Sequence, residues 1–232
     1  REGVVALLCY VPATIFTAGF LFDFGDGIVM KAAAVLTALC ALLTVACTAM
    51  IYASLTPIPR WCNPWVLPVY LLMALASGGL IFSTFISFNR SLPFPALVAV
   101  LTALVLAWFA KSAYWRQISA AKPESDTGTA TGLGYLGEVR QLEAPHTSDN
   151  YLLKEMGYRV GQKHANRLRR TAMNLGLLIP GVLMIASFFP PPPWQPMLLL
   201  VATLSGLVAI LVERWLFFAE ARHKVTLFYG SK

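Results

Sequence analysis

Residues 50–65 read M-I-Y-A-S-L-T-P-I-P-R-W-C-N-P-W. This stretch closes one apolar run, turns on Pro57, Pro59 and Pro64, and opens the next run behind Trp61 and Trp65. Three prolines within eight residues cannot continue a helix. Each lacks an N–H donor and holds the residue before it in an extended conformation. Trp61 and Trp65 suit the headgroup layer, which accommodates an apolar ring and a single N–H donor together. Arg60 adds a positive charge at the same level. The stretch is a tight turn between two membrane spans.

Composition extends that reading to the whole chain. Of 232 residues, 57% are hydrophobic and 12% charged, and the mean hydropathy is +0.65. A soluble domain carries about 25% charged residues. Several apolar runs exceed the roughly 20 residues that cross a bilayer core, so this is an integral membrane protein. The formal charge of +7 would suit a nucleic acid. The surplus sits in loops beside spans, however, where retention on the cytoplasmic side accounts for it. No nucleic-acid partner is expected.

Outward from the opening turn, apolar runs and their breakers predict six spans. The first covers about 2–22 and stops at F-D-F-G-D-G, a hairpin turn of aspartates and glycines. The second covers about 30–54. The third, about 66–88, carries Ser77-Gly78-Gly79, small residues that permit either close approach of a neighbouring helix or a kink. A turn at 89–95 leads to the fourth span, about 96–114. The fifth covers about 171–189, with a kink expected at Pro180-Gly181. Pro190 to Pro193 and Trp194 form the exit turn before the sixth, about 197–221. The expected fold class is all-α: a polytopic transmembrane helical bundle, with residues 1–232 forming a single membrane domain.

Between the fourth and fifth spans lies a polar connector, residues 117–170. Its first part, 120–137, is rich in Gly, Thr, Ser and Ala and reads as flexible. A basic surface helix is expected over 148–170. Thr147, Ser148 or Asp149 can cap it, and Leu153, Met156, Val160 and Leu168 recur near helical spacing. Such a helix suits the membrane surface with its lipids, a partner subunit or a solvated connector. Arg159, Lys163 and Arg167, with Arg60 and Trp61 of the opening turn, are the candidates for partner docking.

Charge sets the orientation. Lys31 and Arg90 fall in the turns after spans one and three, while the other 16 of the 18 Lys and Arg lie at the opposite end or in helix ends facing it. That bias places the connector and the C-terminal tail in the cytoplasm.

Chemistry is expected where polar residues enter the membrane. Glu213 and Arg214 sit about eight residues, roughly 12 Å, inside the end of the sixth span. Ionisable groups at that depth form a buried pair or a functional site; here structural tethers are preferred to a proton-linked pair, because such a pair must first offset its own desolvation. Glu220 with His223 or Lys224 has the spacing of a surface ion pair. Cys9, Cys40, Cys47 and Cys62 include no C-x-x-C pair and read as small apolar filler. The histidines, His146, His164 and His223, all lie outside span middles, so a bis-histidine haem has no ligands in this chain. Nor is there a Walker loop, a G-x-S-x-G elbow or a metal-binding His-Glu cluster.

Three segments carry a family resemblance: M-I-Y-A-S-L-T-P-I-P-R-W, the following span with Gly78-Gly79, and E-R-W-L-F-F-A-E-A-R-H-K-V-T-L-F-Y-G. The chain resembles the membrane anchor of the dimethyl sulfoxide reductase family. T-S-D-N-Y-L-L-K-E-M-G-Y-R-V-G resembles the proteobacterial version, which includes the anchor of the cytoplasmic sulfite dehydrogenase. Family anchors have eight spans, so the resemblance implies two more ahead of Arg1, in line with the lack of a methionine before Met30.

The resemblance implies a subunit of the bacterial inner membrane that binds no cofactor of its own. It would hold a molybdopterin catalytic subunit and an iron–sulfur electron-transfer subunit, and exchange electrons with menaquinone or ubiquinone. Glu2 matches the family's acidic residue at the start of this span, associated with quinol binding; the family's histidine partner belongs to the preceding span. Quinone reduction needs an acid–base group near the membrane surface, for which Glu2 is the first choice and His223 the second, with a capping or surface role for Glu2 left open by the residues alone. Sulfite oxidation is the preferred reaction, with a quinol-dependent dimethyl sulfoxide reductase anchor as the alternative. A small secondary transporter would show similar spans and intramembrane charge.

Overall fold

The computed structural model describes residues 2–25, 27–120, 126–140, 142–143, 159–189 and 194–221, and among these it contains helices and turns only. Six helices are long and apolar enough to cross a membrane: Glu2–Leu21, Ile28–Ala53, Val66–Asn89, Phe94–Ala120, Ala165–Ala186 and Gln195–Ala219. They are the first to sixth spans below. The hairpin between the first two turns on Asp23 (φ 52°) and Gly25 (φ 73°), residue types that tolerate the left-handed region.

Spans three to six close a ring in which three packs on four, four on five, five on six and six on three. The second span docks on the outside of the third, and the first packs on the second. Within the membrane there is no hydrophobic drive between helices, so close packing and interhelical hydrogen bonds hold the ring. Gly176 and Trp108 illustrate the first. A Cβ on Gly176 would run into the Trp108 indole, while Ala209 would lie 2.9 Å away, and the indole is fully buried in that notch. Thr84 and Thr203 illustrate the second. Thr203 Oγ1 donates to the Leu80 carbonyl and Thr84 Oγ1 to the Leu199 carbonyl, each at 3.0 Å. Each helix thus bonds the other's backbone.

The Ser77-Gly78-Gly79 alternative resolves towards close approach. The third span runs unbroken through it, and a Cβ on Gly79 would stand 2.9 Å from Val100 of the fourth. In the fifth span, Asn174–Leu178 forms a widened π turn just ahead of Pro180. The Ile179 N–H reaches back to the Asn174 carbonyl, and Ser205 Oγ donates to the Leu175 carbonyl at 2.7 Å. Proline supplies no donor and its ring crowds the carbonyl four residues earlier. The π turn absorbs that fault inside the helix.

The connector differs from its sequence reading at both ends. The fourth span continues to Ala120 and the fifth begins at Ala165, so Arg167, Arg169 and Arg170 ride on the first turns of the span helix. Residues 148–158 of the expected surface helix lie outside the described residues; Arg159–Lys163 is helical. The Gly- and Thr-rich part also contains short helical turns among its described residues. Thr127–Thr131 is a helix closed by a capping box. Asp126 Oδ1 accepts from the Thr129 N–H at 2.7 Å, and Thr129 Oγ1 accepts from the Asp126 N–H at 2.8 Å. The Thr129 N–H holds the Asp126 carboxyl below the usual range.

Candidate functional site

At the connector end of the ring, the sixth span carries Glu213 into the interior with no exposure. Its carboxylate stands between two cations. One is Lys111 of the fourth span, itself 1% exposed, whose Nζ forms an ion pair with Glu213 Oε1. The other is Arg214. Consecutive helix positions diverge by about 100°, yet the Arg214 side chain bends back, donating from Nε to Oε2 at 2.5 Å and from Nη2 to Oε1 at 2.8 Å. Arg214 Nη1 is buried with no hydrogen-bond partner among the described residues.

Aromatic faces replace the water these cations have lost. Lys111 Nζ lies 4.1 Å from the Tyr114 ring centroid and 5.3 Å from that of Trp115. Arg214 Cζ lies 4.1 Å from the centroid of Tyr70 and 5.2 Å from that of Phe217. Ring quadrupoles attract cations most where they are desolvated. A lone carboxylate with two cations leaves the trio formally positive, so the rings supply part of the missing negative potential.

Above the trio, the sixth helix ends in carbonyls that have no partners of their own. The opening turn folds over them. Arg60 Nη1 donates to the Glu220 carbonyl at 2.6 Å and Trp61 Nε1 to the Phe217 carbonyl at 3.1 Å. Gln162 Nε2 reaches the Ala219 carbonyl at 3.3 Å. Arg169 pairs with the Glu220 carboxylate at 2.5 Å and donates to Ser119 Oγ at 3.1 Å. Positive groups at a helix C-terminus also complement its dipole.

The predicted residues therefore separate. Glu213 meets both Arg214 and Lys111. Arg60 and Trp61, the docking candidates of the opening turn, are half-buried and each spend a donor on the end of the sixth helix, because the turn brings them over orphaned carbonyls. Lys163 and Arg167 are exposed, and the Arg159 side chain and His223 lie outside the described residues. Glu2 stands apart from the trio. Thr48 Oγ1 donates to Glu2 Oε1 at 2.5 Å, and among the described residues no hydrogen bond or ion pair links Glu2 to Glu213 or Arg214. Two open hollows lie at the opposite end, one lined by Ile15, Phe24 and Met30 and the other by Ser87, Arg90 and Gln195.

Lys111 is the residue that sequence reading missed. Its signal was present: a lysine inside the run A-W-F-A-K-S-A-Y-W, short of the expected end of the span. A cation there requires a partner.

This architecture defines a polytopic integral membrane protein whose connector end is tied together by a buried carboxylate, its cations and a capped helix terminus. The chain matches the family "DMSO reductase anchor subunit (DmsC)" over residues 21–231 and belongs to that family. It is also similar to a sulfite dehydrogenase subunit of Allochromatium vinosum, with 29% identity over 199 residues. That alignment covers 85% of this chain and 60% of the relative, so the chain spans less than two thirds of that protein's length. No solved structure matches it.

Proposed function

We propose that the chain is the membrane anchor and quinone-reactive subunit of a molybdopterin/iron–sulfur oxidoreductase, passing electrons between the quinone pool and an iron–sulfur subunit. The observation that carries the preferred reaction is the likeness to the sulfite dehydrogenase subunit of Allochromatium vinosum, spread over 85% of the chain. In that reaction sulfite, water and quinone give sulfate and quinol. Molybdopterin and iron–sulfur clusters in the partner subunits supply the oxygen-atom and electron chemistry. The anchor's share is to hold the quinone and deliver two protons.

Glu2 has the surroundings for proton delivery. It starts the first span at the connector end and is partly exposed. The Thr48 hydroxyl lies between Glu2 Oε1, at 2.5 Å, and the Thr44 carbonyl, at 3.1 Å. It can donate to the carboxylate, or accept from the carboxylic acid while donating to Thr44. One partner thus serves both protonation states, as a residue that cycles between them requires. Glu213 has no such access, and its role in this reading is structural.

Purification of the intact complex from its own membranes tests the proposal. A molybdopterin subunit and an iron–sulfur subunit should co-purify, and sulfite should reduce a soluble ubiquinone or menaquinone analogue. A chain that purifies without partners, or a complex inert to quinones, counts against it.

The family's description favours a second reading, quinol-dependent sulfoxide reduction, with the partners on the other face of the membrane. A reporter fused after Lys232 separates the two. In the preferred reading the tail is cytoplasmic, so fused alkaline phosphatase is inactive and a fluorescent protein matures. Active phosphatase reverses the ranking.

A further inference from the structure

Outside the bundle, residues 126–140 form a small built unit. The capping box starts its helix, and Gly132 ends it in the left-handed conformation, φ 70°. Gly128 then packs so closely on the returning chain that a Cβ there would lie 3.0 Å from the Gly134 Cα. Thr127 Oγ1 donates to the Val139 carbonyl at 3.4 Å and closes the base. Among the described residues, the side-chain hydrogen bonds of this unit all close on itself. It is a knuckle held by its own backbone.

What the knuckle displays is apolar. Tyr135 is 83% exposed and Leu136 71%, with Leu133 beside them, and Leu142 just beyond is 98% exposed. On a span, lipid covers such side chains. On a connector they form a patch of the kind that marks an interaction site.

Charge selects the occupant. The stretch 121–149 holds Glu124, Asp126, Glu138, Glu143 and Asp149 against Lys122 and Arg140 alone. The cytoplasmic membrane surface carries a negative potential, and basic segments are what it attracts; this one it repels. We propose that residues 126–140, with Leu142, dock a water-soluble protein partner that offers an apolar hollow rimmed by basic side chains, with Tyr135 and Leu136 as its anchors. An aromatic and an aliphatic side chain held out by a hydrogen-bonded turn suit the centre of an interface. The proposal rests on the anchor reading, since the partner is a subunit of the same complex.

A photo-crosslinking phenylalanine analogue placed at position 135 of the full chain, within its complex in native membranes, tests it. Irradiation should join position 135 to a water-soluble subunit of that complex. Adducts confined to lipid, or to residues 150–170 of the same chain, overturn the proposal. In parallel, Tyr135→Ser with Leu136→Ser should lower retention of that subunit on washed membranes at least about tenfold. The level of the chain itself should hold, because both side chains are exposed. Unchanged retention overturns the docking role and leaves the anchor reading intact. If wild-type membranes retain no soluble subunit, the anchor reading falls and takes the proposal with it.

Discussion

Glu213→Ala is expected to destabilise the protein by about 3–5 kcal/mol, the cost of leaving buried charge without its counter-charge. The expectation is large because Glu213 is the carboxylate shared by Lys111 and Arg214, and Lys111 is as buried as its partner. Removing it leaves two cations beneath the capped end of the sixth helix, with aromatic faces as their remaining compensation. The amount of folded chain recovered from membranes, and the midpoint of thermal aggregation in detergent, should both fall.

Replacing the whole trio, with Lys111→Met, Glu213→Leu and Arg214→Met together, should recover much of that stability. An apolar substitute of similar volume has no desolvation to offset. Recovery in the triple variant with loss of quinone turnover would give the cluster a catalytic duty beyond tethering. Wild-type stability in Glu213→Ala alone would mean that the carboxylate is hydrated.

The spans were legible because apolar runs and prolines are local signals. The 50–65 turn punctuates the chain so strongly that the helices on either side end and begin within a residue or two of expectation. Partnership is not local. Arg60 and Trp61 read as headgroup-level residues and docking candidates, and only the return of the sixth helix, about 160 residues later, shows that its carbonyls take their N–H groups. Lys111 was hidden by the same limit, since its partner lies on another span.

Composition said too little in a different way within 120–137. Gly and Thr suggest a flexible linker, yet the same residues allow a tight return and a capping box once Asp126 is in place. The fifth span shows the converse. Arginines that signalled a surface helix occupy its first turns, where Arg169 is held by Glu220 and Ser119.

Glu2→Gln is expected to slow quinone reduction by about 10²-fold or more, the usual contribution of a positioned acid–base group. Glutamine keeps the side chain's size, and its carbonyl oxygen can still accept from Thr48 Oγ1, so the end of the first span should stay tied to the second. What it loses is the exchangeable carboxyl proton. Partner retention on the membrane and electron transfer from sulfite to an artificial soluble acceptor should therefore be unchanged, with the loss confined to the quinone half-reaction. Thr48→Val removes the hydroxyl that can pair with both states of Glu2 and should cost less, because the carboxyl itself remains. Its mark would be a smaller fall in quinone turnover with partner retention unchanged. If Glu2→Gln turns over quinone at the wild-type rate, protons reach the quinone by another group and Glu2 serves only to hold two helices together. If it also sheds the partner subunits, the residue acts in assembly, and the acid–base assignment fails.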